Sequence, residues 1–535
     1  MALAVRVALV LVGALAIVLD SRRAGGSRPR LSVLWLLSLA LGEAAFVLAV
    51  WLRHRTFPLH LELMEGAVLE HVQRLLAGQP LYPPPSARFV PFAYNPLYYV
   101  LAAPLIGGVG GGLPTLRALS IAGALGAAVL VAAIAARRAR SWFHGVIALG
   151  LFAAAYEAMD AYLDTAHADA WLILAILAGT ALVEKGLVLA AREGASHTRG
   201  RALRVAGVVT LVAGFWLKQH GALFALAALA CVVLRLGARA ALPELVVAVL
   251  LGPVAYLLAG PRLFGPWMLF YTWTVPRSWS VLSPAIFTRV AEHLARGVPL
   301  LTLAAAGGFA AWTRTLRHGL RALDPWQVQL AAALGSGFMG ALDAGGNDNV
   351  LIPLTTFAIV MGVSALPDCA SRLAPRWPRA VEELALVASF ALLLYDPRHV
   401  WTAAGAPRAH TELVALVRAL DAPVFAPDLG PSDGVSRFTP PLTWVAIEDL
   451  VRGARGPAAP PGIADELLAA VAAPAGEAYI LTSQPLERRV TLAPLLARYR
   501  LEADFGERFA SLRTQPMRWG RLYPRYLYRY SPPPA

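Results

Sequence analysis

The sequence predicts a polytopic α-helical membrane protein with about twelve transmembrane helices and a small C-terminal α/β domain. Three observations point there. The 535 residues are 58% hydrophobic and only 15% charged, whereas soluble domains carry about 25% charged residues. Apolar runs recur from the N-terminus to about residue 395. Arginines gather in the short loops between those runs, the pattern that membrane insertion produces.

The runs fall near 3–19, 31–51, 118–136, 142–158, 168–183, 205–217, 221–236, 241–260, 297–312, 327–343, 349–366 and 380–395. The first lacks a small-residue cleavage site and is read as a retained helix, not a signal peptide. Six loops carry the positive charge: Arg22 to Arg30, Arg137 to Arg140, Lys185 to Arg204, Arg235 and Arg239, Arg314 to Arg321, and Arg372 to Arg379. If all six are cytoplasmic, the positive-inside rule holds throughout and both termini lie outside. Residues 96–109 are apolar but must then be excluded as a crossing. At about 14 residues with Pro104 inside, they suit an interfacial or re-entrant helix. The transmembrane region is thus 1–395, with its first extracytoplasmic loop at 52–117, in a cytoplasmic membrane with the long loops facing outward.

The remaining 396–535 form the expected extracytoplasmic α/β domain. Thr411–Leu420 reads as a helix, Val424–Ala426 and Tyr479–Thr482 as strands, and Arg521–Tyr530 alternates like a strand. Pro/Gly-rich stretches at 427–434 and 456–462 punctuate it.

The net charge of +14 follows membrane topology, so no nucleic-acid partner is expected. Two cysteines, Cys231 and Cys369, make neither a disulfide nor a cysteine-rich metal site. The only lysines are Lys185 and Lys218. No Gly-x-x-x-x-Gly-Lys loop or paired Gly-rich βαβ unit is present, so no nucleotide site and no cofactor is expected.

Candidate chemistry sits in the outward loops. Met64, Val68, Val72, Leu75 and Leu76 recur at helical spacing until Gly78-Gln79-Pro80 stops the pattern. This predicts an amphipathic surface helix with Glu65 near its start. There the helix dipole holds a carboxylate ionised, as a general base requires; a solvated surface glutamate is the plain alternative. The stretch Asp160 to Trp171 places His167 and Asp169 at the mouth of a span, where ionisable groups are a functional hypothesis by default. Helix capping is the competing account, and one histidine with scattered acids gives little support for a metal ion. Trp216-Leu217-Lys218-Gln219-His220 is a polar break between two spans. The Lys218 ammonium there suits a lipid-linked phosphate, against a merely snorkelling lysine. Loop 261–296 is aromatic-rich and carries Arg277, a candidate grip on a lipid carrier. Asn347 and Asp348, after two glycines, form a polar turn suited to sugar hydroxyls or to nothing more than a turn.

Pattern and loop order together resemble the GT-C membrane glycosyltransferases. The match is closest to the branch of protein O-mannosyltransferases and aminoarabinose-to-lipid A transferases. It rests on Met64-Glu65-Gly66, Gly78-Gln79-Pro80-Leu81-Tyr82 and Tyr94-Asn95-Pro96-Leu97-Tyr98, and spans roughly 55–350. Family members commonly carry Asp-Glu at the start of this helix; here the Asp position is Met64, and the role of base passes to Glu65. The resemblance implies an inverting transferase that uses a polyprenyl-phosphate sugar on the outer face, where nucleotide sugars are not used. Glu65 is the expected base, helped by Asp169, and Lys218 with Arg88 or Arg277 meets the leaving phosphate. Tyr82, Tyr94, Asn95, His167, Gln219, Asn347 and Asp348 complete the expected substrate site. Glu65→Gln is expected to spare folding and nearly abolish transfer. A lipid-linked sugar flippase and a catalytically degenerate polyprenyl-lipid-binding protein are the rival readings. The acceptor is a glycolipid, a glycan or a protein.

Overall fold

The computed structural model describes residues 2–22, 30–86, 89–195, 197–279, 283–319, 322–342, 346–429, 443–451, 466, 468–469, 471, 474, 476–489, 492–515 and 520–531. The apolar runs fall mainly on helix, although 142–158 runs past the end of the helix at Ala154 and the last residue of 327–343 lies outside the described residues. Helices α1 (Ala2–Arg22) and α2 (Leu31–Arg55) precede the polar loop that holds α3 (Glu65–Leu76) and α4 (Leu97–Val109). Then follow α5 (Gly112–Ala139), α6 (Trp142–Ala154), α7 (Asp169–Glu193), α8 (Thr198–Leu217) and α9 (Gly221–Leu236). Helix α10 (Leu242–Val249) runs through π-helical turns at Leu250–Ala259 into α11 (Gly260–Phe264), with a kink at Gly252 ahead of Pro253. The short α12 (Val275–Trp279) and the helices α13 (Ala285–Gly297), α14 (Pro299–Thr315), α15 (Pro325–Ala341), α16 (Ile352–Leu373) and α17 (Pro378–Leu393) complete the bundle.

Among the described residues, seven helices are long and apolar enough to cross a membrane. The pair α13–α14, bent by 109°, makes an eighth if it is one broken span. The chain is therefore a multi-pass membrane protein. Helices α6, α9, α15 and α17 have 13 to 17 residues. They rise only about 20–25 Å, against a hydrocarbon core about 30 Å thick.

The polar loop is shorter than 52–117 because α2 continues to Arg55 and α5 starts at Gly112. Three consecutive glycines, Gly110, Gly111 and Gly112, all have positive φ and reverse the chain from α4 into α5. Gly78, at φ 66°, follows the last turn of α3. The apolar face of α3 packs with α4 in a core of Val68, Val72, Tyr98, Tyr99 and Leu116.

Beyond α17 the chain forms a mixed four-stranded sheet. Its strands are β1 (Val424–Phe425), β2 (Tyr479–Thr482), β3 (Tyr499–Asp504) and β4 (Tyr526–Tyr530), in the order β1-β2-β4-β3. β1 runs parallel to β2, and β4 is antiparallel to both β2 and β3, with a register shift between Leu501 and Ala503. Helices α18 (Ala406–Ala419) and α19 (Trp444–Val451) accompany the sheet. Ala409 and Leu413 of α18 and Leu481 and Leu527 of the sheet share one core with Phe57, Leu59 and Leu61 of the polar loop. The C-terminal part thus rests on the segment that leads into α3.

Candidate functional site

Glu65 opens α3 but faces inward and is fully buried. Arg117, one turn into α5 and also fully buried, grips it with two parallel hydrogen bonds of 3.0 and 2.6 Å. The backbone N–H groups of Leu61 and Ala166 donate to the same carboxylate at 2.7 and 2.9 Å. Arg117 spends its remaining donors on the carbonyls of His54, Phe57 and Leu59. Burial alone would raise the Glu65 carboxyl, but Arg117 and the two N–H groups outweigh it and hold the carboxyl below its ordinary value. Four hydrogen bonds occupy its two oxygens, and the residue lines neither of the two cavities described below. The expected base is therefore locked into a structural ion pair.

The carboxylate that does reach open space is Glu62. It lines a cavity of about 730 Å³ between the bundle and the C-terminal sheet. Its Oε2 accepts from the Met64 backbone N–H at 2.9 Å and its Oε1 lies 2.7 Å from His167 Nε2. Burial would lower the His167 imidazole, but the Glu62 carboxylate outweighs this and raises it above its ordinary value. Tyr94 lines the same wall, with its hydroxyl 3.6 Å from Met64 Sδ. Met64 also faces the cavity.

Opposite stands Lys218, at the break between α8 and α9, whose Nζ donates to Asp169 Oδ1 at 2.7 Å. Asp169 starts α7 and also accepts from Asn349 Nδ2 at 3.3 Å. An ammonium has three donors, so this pair leaves two for a ligand. Gln219 lines the cavity too, but its amide is tied to the carbonyls of Ala93 and Thr272. Arg277 in α12 lines the cavity and has no hydrogen-bond or ion-pair partner among the described residues.

The turn Asn347-Asp348-Asn349 is a partition. Asn347 donates to the Tyr162 hydroxyl at 2.8 Å and, with Asn349, lines the first cavity. Asp348 points the other way, to Arg289 at 2.9 Å, into a second cavity of about 620 Å³ lined also by Arg6, Glu157 and His293.

Two expected ligand contacts are structural instead. Tyr82 is buried, donates its hydroxyl to the Tyr94 carbonyl at 2.5 Å and pairs its backbone with Phe264. A Cβ at Gly265 would lie 2.5 Å from the Tyr82 carbonyl oxygen, so that crossing needs glycine. Asn95 donates to the Phe215 carbonyl at 2.6 Å, away from the cavity. Arg88 lies outside the described residues.

The C-terminal part supplies a cavity wall that no sequence motif announces. Glu448, Asp449, Gln484, Arg488 and Arg489 all line the cavity. Arg489 is anchored to Asp428 at 2.5 Å and to Glu448 at 3.5 Å. The indole of Trp279 donates to the Asp449 carbonyl at 2.5 Å and joins this wall to α12. No group of three or more His, Cys, Asp and Glu side chains suited to a metal ion occurs among the described residues.

No family model and no curated protein sequence matches the chain. Solved structures do. The apo state of ArnT from Cupriavidus metallidurans aligns over 91% of this chain and 97% of its own, with 15% identity and a TM-score of 0.50. The same protein bound to undecaprenyl phosphate gives 13% identity and a TM-score of 0.49 over the same shares. The oligosaccharyltransferase AglB from Archaeoglobus fulgidus, in complex with an inhibitory peptide and a dolichol-phosphate, gives 11% identity and a TM-score of 0.47. That alignment covers 89% of this chain and 70% of AglB. The likeness to ArnT is one of fold.

Proposed function

We propose that this protein transfers a sugar from a polyprenyl-phosphate-linked donor to an acceptor hydroxyl or amine on the outer face of the cytoplasmic membrane. The observation that carries this reading is the cavity in which Glu62, the Lys218 ammonium and the unpartnered Arg277 guanidinium share one space beside Trp273 and Trp279. Aromatic side chains of that kind mark a membrane–water interface, where a lipid phosphate would lie. The ArnT whose apo structure shares this fold has also been determined bound to undecaprenyl phosphate.

In this reading the acceptor attacks the anomeric carbon and passes its proton to Glu62. The bond from that carbon to the phosphate oxygen breaks, and its electron pair leaves with the polyprenyl phosphate. The configuration is inverted. Lys218 and Arg277 meet the charge that grows on the phosphate, and Asp169 holds Lys218 in place. His167 orients Glu62, and Asn347 and Tyr94 line the space for the sugar. The acceptor is a glycolipid, a glycan or a protein.

The test uses protein in nanodiscs and a panel of short-chain polyprenyl-phosphate hexoses and pentoses, reading released polyprenyl phosphate. Glu62→Gln should lower turnover by about 10²–10⁴-fold, the usual worth of a general base, with undecaprenyl phosphate still bound. Unchanged turnover in that variant removes Glu62 from the mechanism. Met64, where family members carry an acid, faces the cavity and favours a second reading, a degenerate polyprenyl-lipid-binding protein. Binding of undecaprenyl phosphate with no release from any donor would select it.

A further inference from the structure

We propose that Gln515, far from the bundle in sequence, is a positioning residue that holds Glu62 at the cavity. The inference rests on the assignment of Glu62 as base. Gln515 is buried, and its backbone N–H donates to the Leu61 carbonyl at 2.7 Å. Its side-chain amide donates to the Val400 carbonyl at 3.4 Å, and His54 Nε2 meets the same carbonyl at 2.6 Å, so the two side chains converge on one acceptor. Leu61 is therefore held on both sides of its own backbone: its N–H by Glu65, its carbonyl by Gln515. Glu62 is the next residue.

The anchor is itself fixed. Thr514 exchanges hydrogen bonds with Leu522, 2.9 Å from its N–H to the Leu522 carbonyl and 3.0 Å from the Leu522 N–H to its hydroxyl. His54, the other end of the grip, is fully buried with Nδ1 2.7 Å from Asp164. Asp164 in turn accepts from the Tyr156 hydroxyl. The segment His54 to Glu62 is thus clamped from the bundle side by Arg117 and from the sheet side by Gln515. A base whose carboxylate drifts by an ångström loses much of its rate, so the clamp acts on turnover and not on donor affinity.

The test compares the full-length protein in nanodiscs with Gln515→Ala, which removes the side-chain anchor, and with Gln515→Pro, which removes the N–H that the Leu61 carbonyl accepts. Backbone amides of 57–64 should exchange with deuterium at least about tenfold faster, while those of β2 and β4 keep their protection. Turnover on the polyprenyl-phosphate panel should fall about tenfold with KM within twofold. In a Glu62→Gln background the same change should cost nothing further, because both act through one group. If Gln515→Ala does not fold, Gln515→Asn, one methylene shorter, carries the same readouts. Unchanged exchange and unchanged turnover overturn the proposal. Faster exchange at 57–64 with additive losses in the double variant overturns it too, as does an equal rise in exchange throughout the sheet. A fully active Glu62→Gln variant instead removes the assignment of the base and leaves the exchange result to judge the clamp alone.

Discussion

Glu62 and Glu65 stand three residues apart at the same helix start and live in opposite circumstances. Glu65 spends all its acceptor capacity on Arg117 and two backbone N–H groups and faces no open space. Glu62 is equally out of bulk water, at 1% exposure, but its neighbours are a histidine and the wall of a cavity. The same contrast separates Arg117, used up by five acceptor oxygens, from Lys218, which gives one hydrogen bond to Asp169 and faces the cavity. Burial alone does not mark a catalytic carboxylate; what matters is whether its partners leave it a face.

The largest effect should come from breaking the closed pair. Glu65→Gln leaves the Arg117 charge buried without its counter-ion, which typically costs about 3–5 kcal/mol. Its thermal unfolding midpoint in detergent should fall sharply, with poor yield of folded protein. Replacing both partners by apolar residues, Glu65→Leu with Arg117→Met, should be milder than either single change. A Glu65→Gln variant that folds normally and loses only turnover would restore Glu65 as the base.

Glu62→Gln should do the reverse, with unfolding within about 1 kcal/mol of the parent because a neutral amide still fills the site and turnover down as given above. Next comes Arg277→Ala. With no partner to orphan, it should leave the unfolding midpoint unchanged and weaken undecaprenyl phosphate binding about tenfold, close to 1.4 kcal/mol. That loss should shrink at high salt, since the site is open to water.

The smallest effect is on pH dependence. His167 is raised in the folded protein, so its stabilisation is complete below its unfolded value of about 6.5 and is lost as pH rises through the folded value. Glu65 is lowered, so its contribution is present above about 4.5 and is lost only as pH falls through the folded value. The gap in unfolding midpoint between parent and His167→Gln should therefore narrow toward alkaline pH. A gap that widens there would reverse the assignment.

Periodicity made most elements legible. α3 begins at Glu65, one residue after the apolar stripe opens at Met64, and β2 spans Tyr479–Thr482 as the sequence predicts. β3 was not read from the sequence: Tyr499, Leu501 and Ala503 alternate with Arg500 and Glu502 there, but of these five only Tyr499 is buried. Site roles were less legible, since a helix-start glutamate looks the same whether an arginine 52 residues away claims it or not. One sign was available: Arg117 is a lone charge in the apolar opening of α5, and a lone charge there needs a partner. Nothing local in Arg488, Arg489 or Gln515 announces the cavity, because their role depends on how the sheet docks.

That docking has a consequence for biogenesis. His54 and Gln515 lie 461 residues apart. At about 5–20 residues per second, the loop around Glu62 waits roughly 20–90 s after synthesis before its last clamp exists. A nascent chain in that interval carries its membrane helices and its Glu65–Arg117 pair, but Glu62 is not yet clamped from the sheet side. On the proposed function, assembly of the C-terminal sheet would complete the positioning of Glu62, and a truncated product would occupy the membrane without turning over.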